Sequence, residues 1–149
     1  MNDAAAITHV GITVTSIDEY IDFYQKHFGF KLVRRGVFPE SFIAAVPQLY
    51  KQQEGVYSDF AFLASPNGVV LELFQFSSTL PCDNPVWNKP GYHHICLKVD
   101  NVRETYKRMT AARVEFYFEP RPIEEVPGAY WVFLKDPDGN MIELQDTNL

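Results

Sequence analysis

Four residues of this chain have the types and the spacing to do chemistry together: His9, Glu72, His94 and Glu143. Each histidine opens an alternating stretch, His9-Val-Gly-Ile-Thr-Val14 and His94-Ile-Cys-Leu-Lys-Val99. Each glutamate interrupts an apolar one, Val69-Val-Leu-Glu72-Leu-Phe74 and Asn140-Met-Ile-Glu143-Leu144. A carboxylate buried in such a strand is costly without a partner, so something must compensate it. A lone strand histidine is more often a hydrogen-bonded structural residue, but two of them matched by two glutamates call for a common explanation. One divalent metal would satisfy two neutral imidazoles and two carboxylates at once. Two separate hydrogen-bonded His–Glu pairs would satisfy them as well.

The elements that position these residues occur twice. His94 follows His9 by 85 residues, and Glu143 follows Glu72 by 71. In each half the histidine strand runs into a helix start, Ser16-Ile-Asp-Glu19 and Asn101-Val-Arg-Glu104, both of them capping boxes. Each half also has a turn before its glutamate strand, Ser65-Pro-Asn-Gly68 and Asp136-Pro-Asp-Gly139. The pattern predicts a β-α-β-β-β module from 7 to 76, a proline-containing linker from 77 to 90, and a second module from 91 to 146. Together they form one domain over 1–149. The first helix carries an apolar stripe of Ile17, Tyr20, Ile21, Tyr24 and Phe28, ended by Gly29. In the second half, Arg113 to Glu119 is expected to be a strand. The stretch from Pro39 to Gly55 holds the first half's extra length, a lid or a plain insertion.

Strand alternation selects among the histidines. His94 shares the register of His9, whereas His93 falls with Ile95, Leu97 and Val99 on the face expected to pack on the helix. His93 is therefore expected to be structural. Cys96 shares the His94 face and is read as a small wall residue. Phe60, Phe62, Phe74, Phe76, Tyr130 and Phe133 lie on strands that could line a cavity. Arg34, Arg35, Lys98 and Arg121 are either anchors for an anionic tail or solvated surface charges.

A net charge of −6 and the lack of a basic run argue against nucleic acid as a partner. No apolar run is long enough to span a bilayer, and the first residues do not form a signal peptide. Cys82 and Cys96 lack close metal-type spacing and are expected to be reduced thiols in a cytoplasmic protein.

With these residues the chain resembles the vicinal oxygen chelate superfamily: glyoxalase I, methylmalonyl-CoA epimerase, extradiol dioxygenases, and bleomycin- and fosfomycin-resistance proteins. His9, Glu72, His94 and Glu143 match that family's ligand slots. Asp136-Pro-Asp-Gly-Asn-Met-Ile-Glu-Leu looks like the closing strand of a glyoxalase, and Gly91-Tyr-His-His-Ile-Cys-Leu-Lys-Val-Asp-Asn-Val looks more like an epimerase. The resemblance implies an α+β fold whose two mixed sheets wrap one metal-binding cavity. It also implies a divalent ion (Ni, Co, Zn, Mn or Fe), a small-molecule substrate and a homodimer. Two open positions on an octahedral ion would chelate neighbouring substrate oxygens. The expected activity is that of a glyoxalase I-type lyase or isomerase, moving a proton through an enediolate, with Glu143 as the base and Glu72 as the alternative. An epimerase, an extradiol dioxygenase and a non-catalytic drug-binding protein are the other readings. Bacterial glyoxalase I places arginine and asparagine for glutathione where this chain has Thr13 and Phe76, which favours a more apolar substrate.

Overall fold

The computed structural model describes residues 4–51, 54–81, 83 and 86–147. Cys82 lies outside the described residues. The chain divides into two compact units, Met1–Pro81 and Cys82–Leu149. Each is one β-α-β-β-β module built on a four-stranded mixed sheet.

In the first unit, β1 (His9–Thr13) leads into α1 (Ile17–Phe28). There follow β2 (Lys31–Phe38), the short helices α2 (Glu40–Ala44) and α3 (Pro47–Tyr50), β3 (Ser58–Ala64) and β4 (Val70–Phe76). The sheet order is β1-β4-β3-β2, with β1 parallel to β4 and the other pairs antiparallel. Capping residues mark the helix ends as the sequence implies. The Ser16 hydroxyl accepts from the Glu19 amide, and Gly29 closes the C-terminus at φ 68°, a left-handed conformation that suits glycine. Ile17, Tyr20 and Tyr24 are fully buried on the helix face that meets the sheet, where Leu71 and Leu73 point inward. Burying each such side chain contributes about 1.5–3 kcal/mol.

The second unit repeats the plan with β5 (His94–Lys98), α4 (Val102–Ala111), β6 (Arg121–Pro122), β7 (Tyr130–Lys135) and β8 (Met141–Gln145). Its order is β5-β8-β7-β6, again with the histidine strand parallel to the glutamate strand. Asn101 caps α4 through the Glu104 amide at 3.0 Å, and Val102, Met109, Val132, Leu134, Ile142 and Leu144 form the core.

Two parts of the chain depart from expectation or complete it. The predicted strand Arg113–Glu119 survives only as a single bridge, Phe116 to Leu134, and the edge strand proper is β6. Arg113 leaves α4 with φ 64°, and Pro120 and Pro122 limit ladder donors, so the edge bulges between the bridge and β6. The extra length of the first half forms α2 and α3. These place Phe42 against Phe38 (ring centroids 4.7 Å) and Tyr50 against Phe76 (6.2 Å). No helix among the described residues is long and apolar enough to cross a membrane.

Candidate functional site

Parallel pairing decides where the four chemical residues stand. In the first unit Glu72 on β4 is opposite Gly11 on β1 and Phe62 on β3. In the second, Glu143 on β8 is opposite Cys96 on β5 and Phe133 on β7. Each histidine lies two residues before the partner of its glutamate, on the same face, and its ring reaches across. His9 Nε2 is 3.3 Å from Glu72 Oε2, and His94 Nε2 is 3.2 Å from Glu143 Oε2. The alternate strand positions, Leu71, Leu73, Ile142 and Leu144, are buried. That alternation gives the glutamates the face away from the helix, as their parity implies.

Both carboxylates are largely shielded, with side chains 17% and 21% exposed, while His9 is 53% exposed and His94 only 23%. Rings account for the difference at His94. Trp87 lies 5.3 Å away and nearly parallel to it, His93 5.1 Å away, and Phe133 meets it edge-on at 5.0 Å. Among the described residues, no three His, Cys, Asp or Glu side chains gather closely enough to hold a metal ion. The structure thus brings His9 to Glu72 and His94 to Glu143, as two pairs. Each pair offers one imidazole nitrogen and one carboxylate, the donor chemistry a divalent ion takes, but too few donors for a closed site.

Each glutamate strand also braces its own helix. Gln75, three residues after Glu72, accepts the Ile17 amide at 2.8 Å through its side-chain oxygen. Asp146, three residues after Glu143, accepts the Val102 amide at 3.0 Å and the Tyr130 amide at 2.6 Å. Neither brace was identified from sequence, where only the shared spacing from the glutamate could have pointed to it. They satisfy first-turn amides that a helix leaves unpaired.

His93 also departs from expectation. β5 begins at His94, so strand parity does not bind the residue before it. The His93 ring lies beside His94, with the two Nδ1 atoms 2.9 Å apart and the Trp87 ring tilted against it at 4.2 Å. The first unit has a counterpart, in which Thr8 Oγ1 stands 3.1 Å from His9 Nδ1. Cys96 faces Glu143 as its register requires. Although Cys96 as a whole is exposed, its thiol is pushed up to about 12, by partial desolvation first and then by the neighbouring carboxylate's charge and hydrogen bond.

Aromatic surface flanks both pairs. Phe38, Phe60 and Phe74 stack in the first unit, at 4.4 and 6.0 Å from Phe38. In the second unit a cleft of about 830 Å³ is lined by Trp87, Phe118, Trp131, Phe133 and Met141. That larger cleft contains neither His94 nor Glu143. A smaller one of about 590 Å³ opens onto Glu143 itself, between Arg121, Trp131 and Gln145. Phe133 joins the larger cleft to the pair, since it touches His94 and stands opposite Glu143. Of the four cations considered from sequence, Arg35 pairs with Asp18, Arg34 lies over Phe60, and Arg121 lies over Phe118 at the smaller cleft.

Comparison with known proteins places this geometry. The family model of the glyoxalase/bleomycin resistance protein/dioxygenase superfamily matches residues 6–144. The uncharacterized protein YwbC of Bacillus subtilis (strain 168) is 30% identical over 144 residues, covering 94% of this chain and 96% of that protein. A mitochondrial methylmalonyl-CoA epimerase of Dictyostelium discoideum is 29% identical over 145 residues, covering 94% and 77%. A glyoxalase family protein from Bacillus cereus superposes with a TM-score of 0.80 at 22% identity, covering 97% of this chain and 95% of the other, and shares the fold.

Proposed function

The chain belongs to the glyoxalase/bleomycin resistance protein/dioxygenase superfamily, and on that premise we propose that it is a metal-dependent lyase or isomerase of the glyoxalase I type. The observation that carries this reading is the pair of His–Glu contacts, 3.3 and 3.2 Å, at equivalent positions of two equivalent sheets. A divalent ion held by His9, Glu72, His94 and Glu143 would supply an electrophile for two neighbouring oxygens of a small substrate. Joining the two pairs, within one chain or across a homodimer, would complete the donor set.

The chain's own residues then divide the work. Glu143 would take a proton from the carbon beside the substrate's two neighbouring oxygens and return it to the next carbon. Its carboxylate opens onto a cleft, where a substrate proton can approach it. Glu72, opposite Gly11 and Phe62, serves chiefly as a ligand. Trp131, which lines the cleft that opens onto Glu143, and Phe133, opposite Glu143, offer apolar surface that keeps water from the reacting carbon. Such walls, together with Thr13 and Phe76, suit an apolar or planar substrate better than a glutathione adduct.

A methylmalonyl-CoA-epimerase-like reaction is the second reading, favoured by the 29% identity to the Dictyostelium enzyme over nearly the whole chain. It starts from the same deprotonation, but the carbon that lost its proton must regain one on its opposite face from a second group, for which Glu72 is the candidate. One experiment tests both. Purified protein is stripped with chelator and reloaded with each of Ni, Co, Zn, Mn and Fe. Exchange of substrate α-hydrogen is then followed in deuterated water for a hemithioacetal and for methylmalonyl-CoA. Exchange that appears only with metal supports the proposal, and the substrate that exchanges separates the two readings. Stoichiometric ligand binding without exchange or bound metal would favour a binding protein instead. Sedimentation shows whether the active species is a homodimer.

A further inference from the structure

We infer that His93 is a positioning residue that sets the tautomer of His94 and allows it to change. The inference rests on the reading above only in taking His94 Nε2 as the metal-facing atom.

Both nitrogens of His94 have partners. Nε2 lies 3.2 Å from the Glu143 carboxylate, and Nδ1 lies 2.9 Å from Nδ1 of His93. With both imidazoles neutral and the carboxylate ionised, the carboxylate only accepts, so His94 donates from Nε2 and its Nδ1 is a bare acceptor. His93 must then donate from Nδ1. If a cation takes the Nε2 lone pair, the His94 proton has to sit on Nδ1, and the same contact must run the other way. His93 then accepts at Nδ1 and carries its proton on Nε2. An imidazole can do either; an ammonium or an ionised carboxylate could do only one.

Three features make this a built arrangement. β5 starts at His94, which frees His93 from the strand alternation that would turn it to the opposite face. Trp87 lies over both rings, 4.2 Å from His93 and 5.3 Å from His94, so it restrains the planes in which their nitrogens meet. The first unit solves the same problem with different chemistry, setting the Thr8 hydroxyl 3.1 Å from His9 Nδ1. A hydroxyl also donates or accepts by rotating. Outer partners of this kind hold a ligating ring in place, and losing one typically costs ~10–100-fold in metal affinity.

The test uses the full chain with ¹⁵N-labelled histidine, at a pH well above the ordinary histidine value of ~6.5. In metal-free protein, a scalar coupling should join the two Nδ1 nuclei, with His94 protonated on Nε2 and His93 on Nδ1. Adding Zn(II) should move both protons, to Nδ1 of His94 and Nε2 of His93. His93→Phe keeps a ring under Trp87 but removes the nitrogen, so the coupling should vanish and Zn(II) affinity should fall ~10–100-fold. His93→Asn, which can again donate or accept, should recover most of that affinity. Absence of the coupling in the native metal-free protein overturns the inference, as does unchanged Zn(II) affinity in a folded His93→Phe variant. If His93→Phe does not fold, the coupling in the native protein decides. Should the coupling be present while Zn(II) fails to bind, the metal reading falls and the metal-free assignment of His93 stands.

Discussion

Opposite Glu72 the first module places Gly11 and Phe62; opposite Glu143 the second places Cys96 and Phe133. His9 is half exposed beside a threonine hydroxyl, whereas His94 is enclosed by Trp87, His93 and Phe133. The two modules share their backbone plan down to the amide brace three residues after each glutamate. Strand pairing and helix capping therefore fix the position of each His–Glu pair, and the neighbours that differ set its environment. The two carboxylates are shielded alike, but the one that opens onto a cleft beside an enclosed histidine suits proton transfer, while the pair with an exposed histidine suits plain ligation.

The largest effect that would break this division is on the proton. Glu143→Gln should slow α-hydrogen exchange by ~10²–10⁴, the usual worth of a positioned general base, with most bound metal retained. Glu72→Gln should weaken metal affinity more than it slows exchange. If the two variants exchange in the reverse order, the base belongs to the first module. Core truncation should treat the modules alike. Leu73→Ala and Leu144→Ala, both at fully buried positions beside the glutamates, should each lose about 2–5 kcal/mol in urea unfolding. A large inequality between them would mean that the modules are not equally packed.

The braces should be unequal. Asp146 accepts two amides with a charged group, at about 1.5–3 kcal/mol, and Gln75 accepts one with a neutral group, at about 0.5–1.5 kcal/mol. Asp146→Ala should therefore lower the unfolding midpoint further than Gln75→Ala. The smallest effect concerns Cys96. With its thiol pushed up from 9.0 to about 12, metal-free protein should alkylate there far more slowly than a free cysteine at mildly alkaline pH. Because the folded thiol holds its proton while the unfolded one releases it, Cys96 lowers stability as pH rises from 9.0 toward 12. Glu143→Gln should quicken alkylation, since it removes the carboxylate's charge from beside the thiol.

Local chemistry made much of this plan legible before any coordinates. Ser16 and Asn101 cap their helices because a capping box acts within four residues, and Gly29 ends α1 for an equally local reason. The glutamate faces follow from period-two alternation. What the sequence concealed depends on contacts far along the chain or on where a strand begins. Gln75 and Asp146 act across 58 and 44 residues, and nothing nearby marks them. Parity puts His93 on the helix face, but the strand starts one residue later and the His93 ring lies beside His94. Arg113–Glu119 is apolar enough to suggest a strand, yet a left-handed residue at its start and prolines after it reduce the pairing to one bridge.

The braces carry a consequence for hydrogen exchange. First-turn amides of a helix ordinarily trade their protons early, because the helix itself offers them no acceptor. Those of Ile17 and Val102 are instead bonded to side chains from the ends of β4 and β8. Their protection times therefore report on the strands that carry the glutamates. A loosening of Glu72 or Glu143 would appear first as faster exchange one helix away, at two backbone positions that take no part in the chemistry.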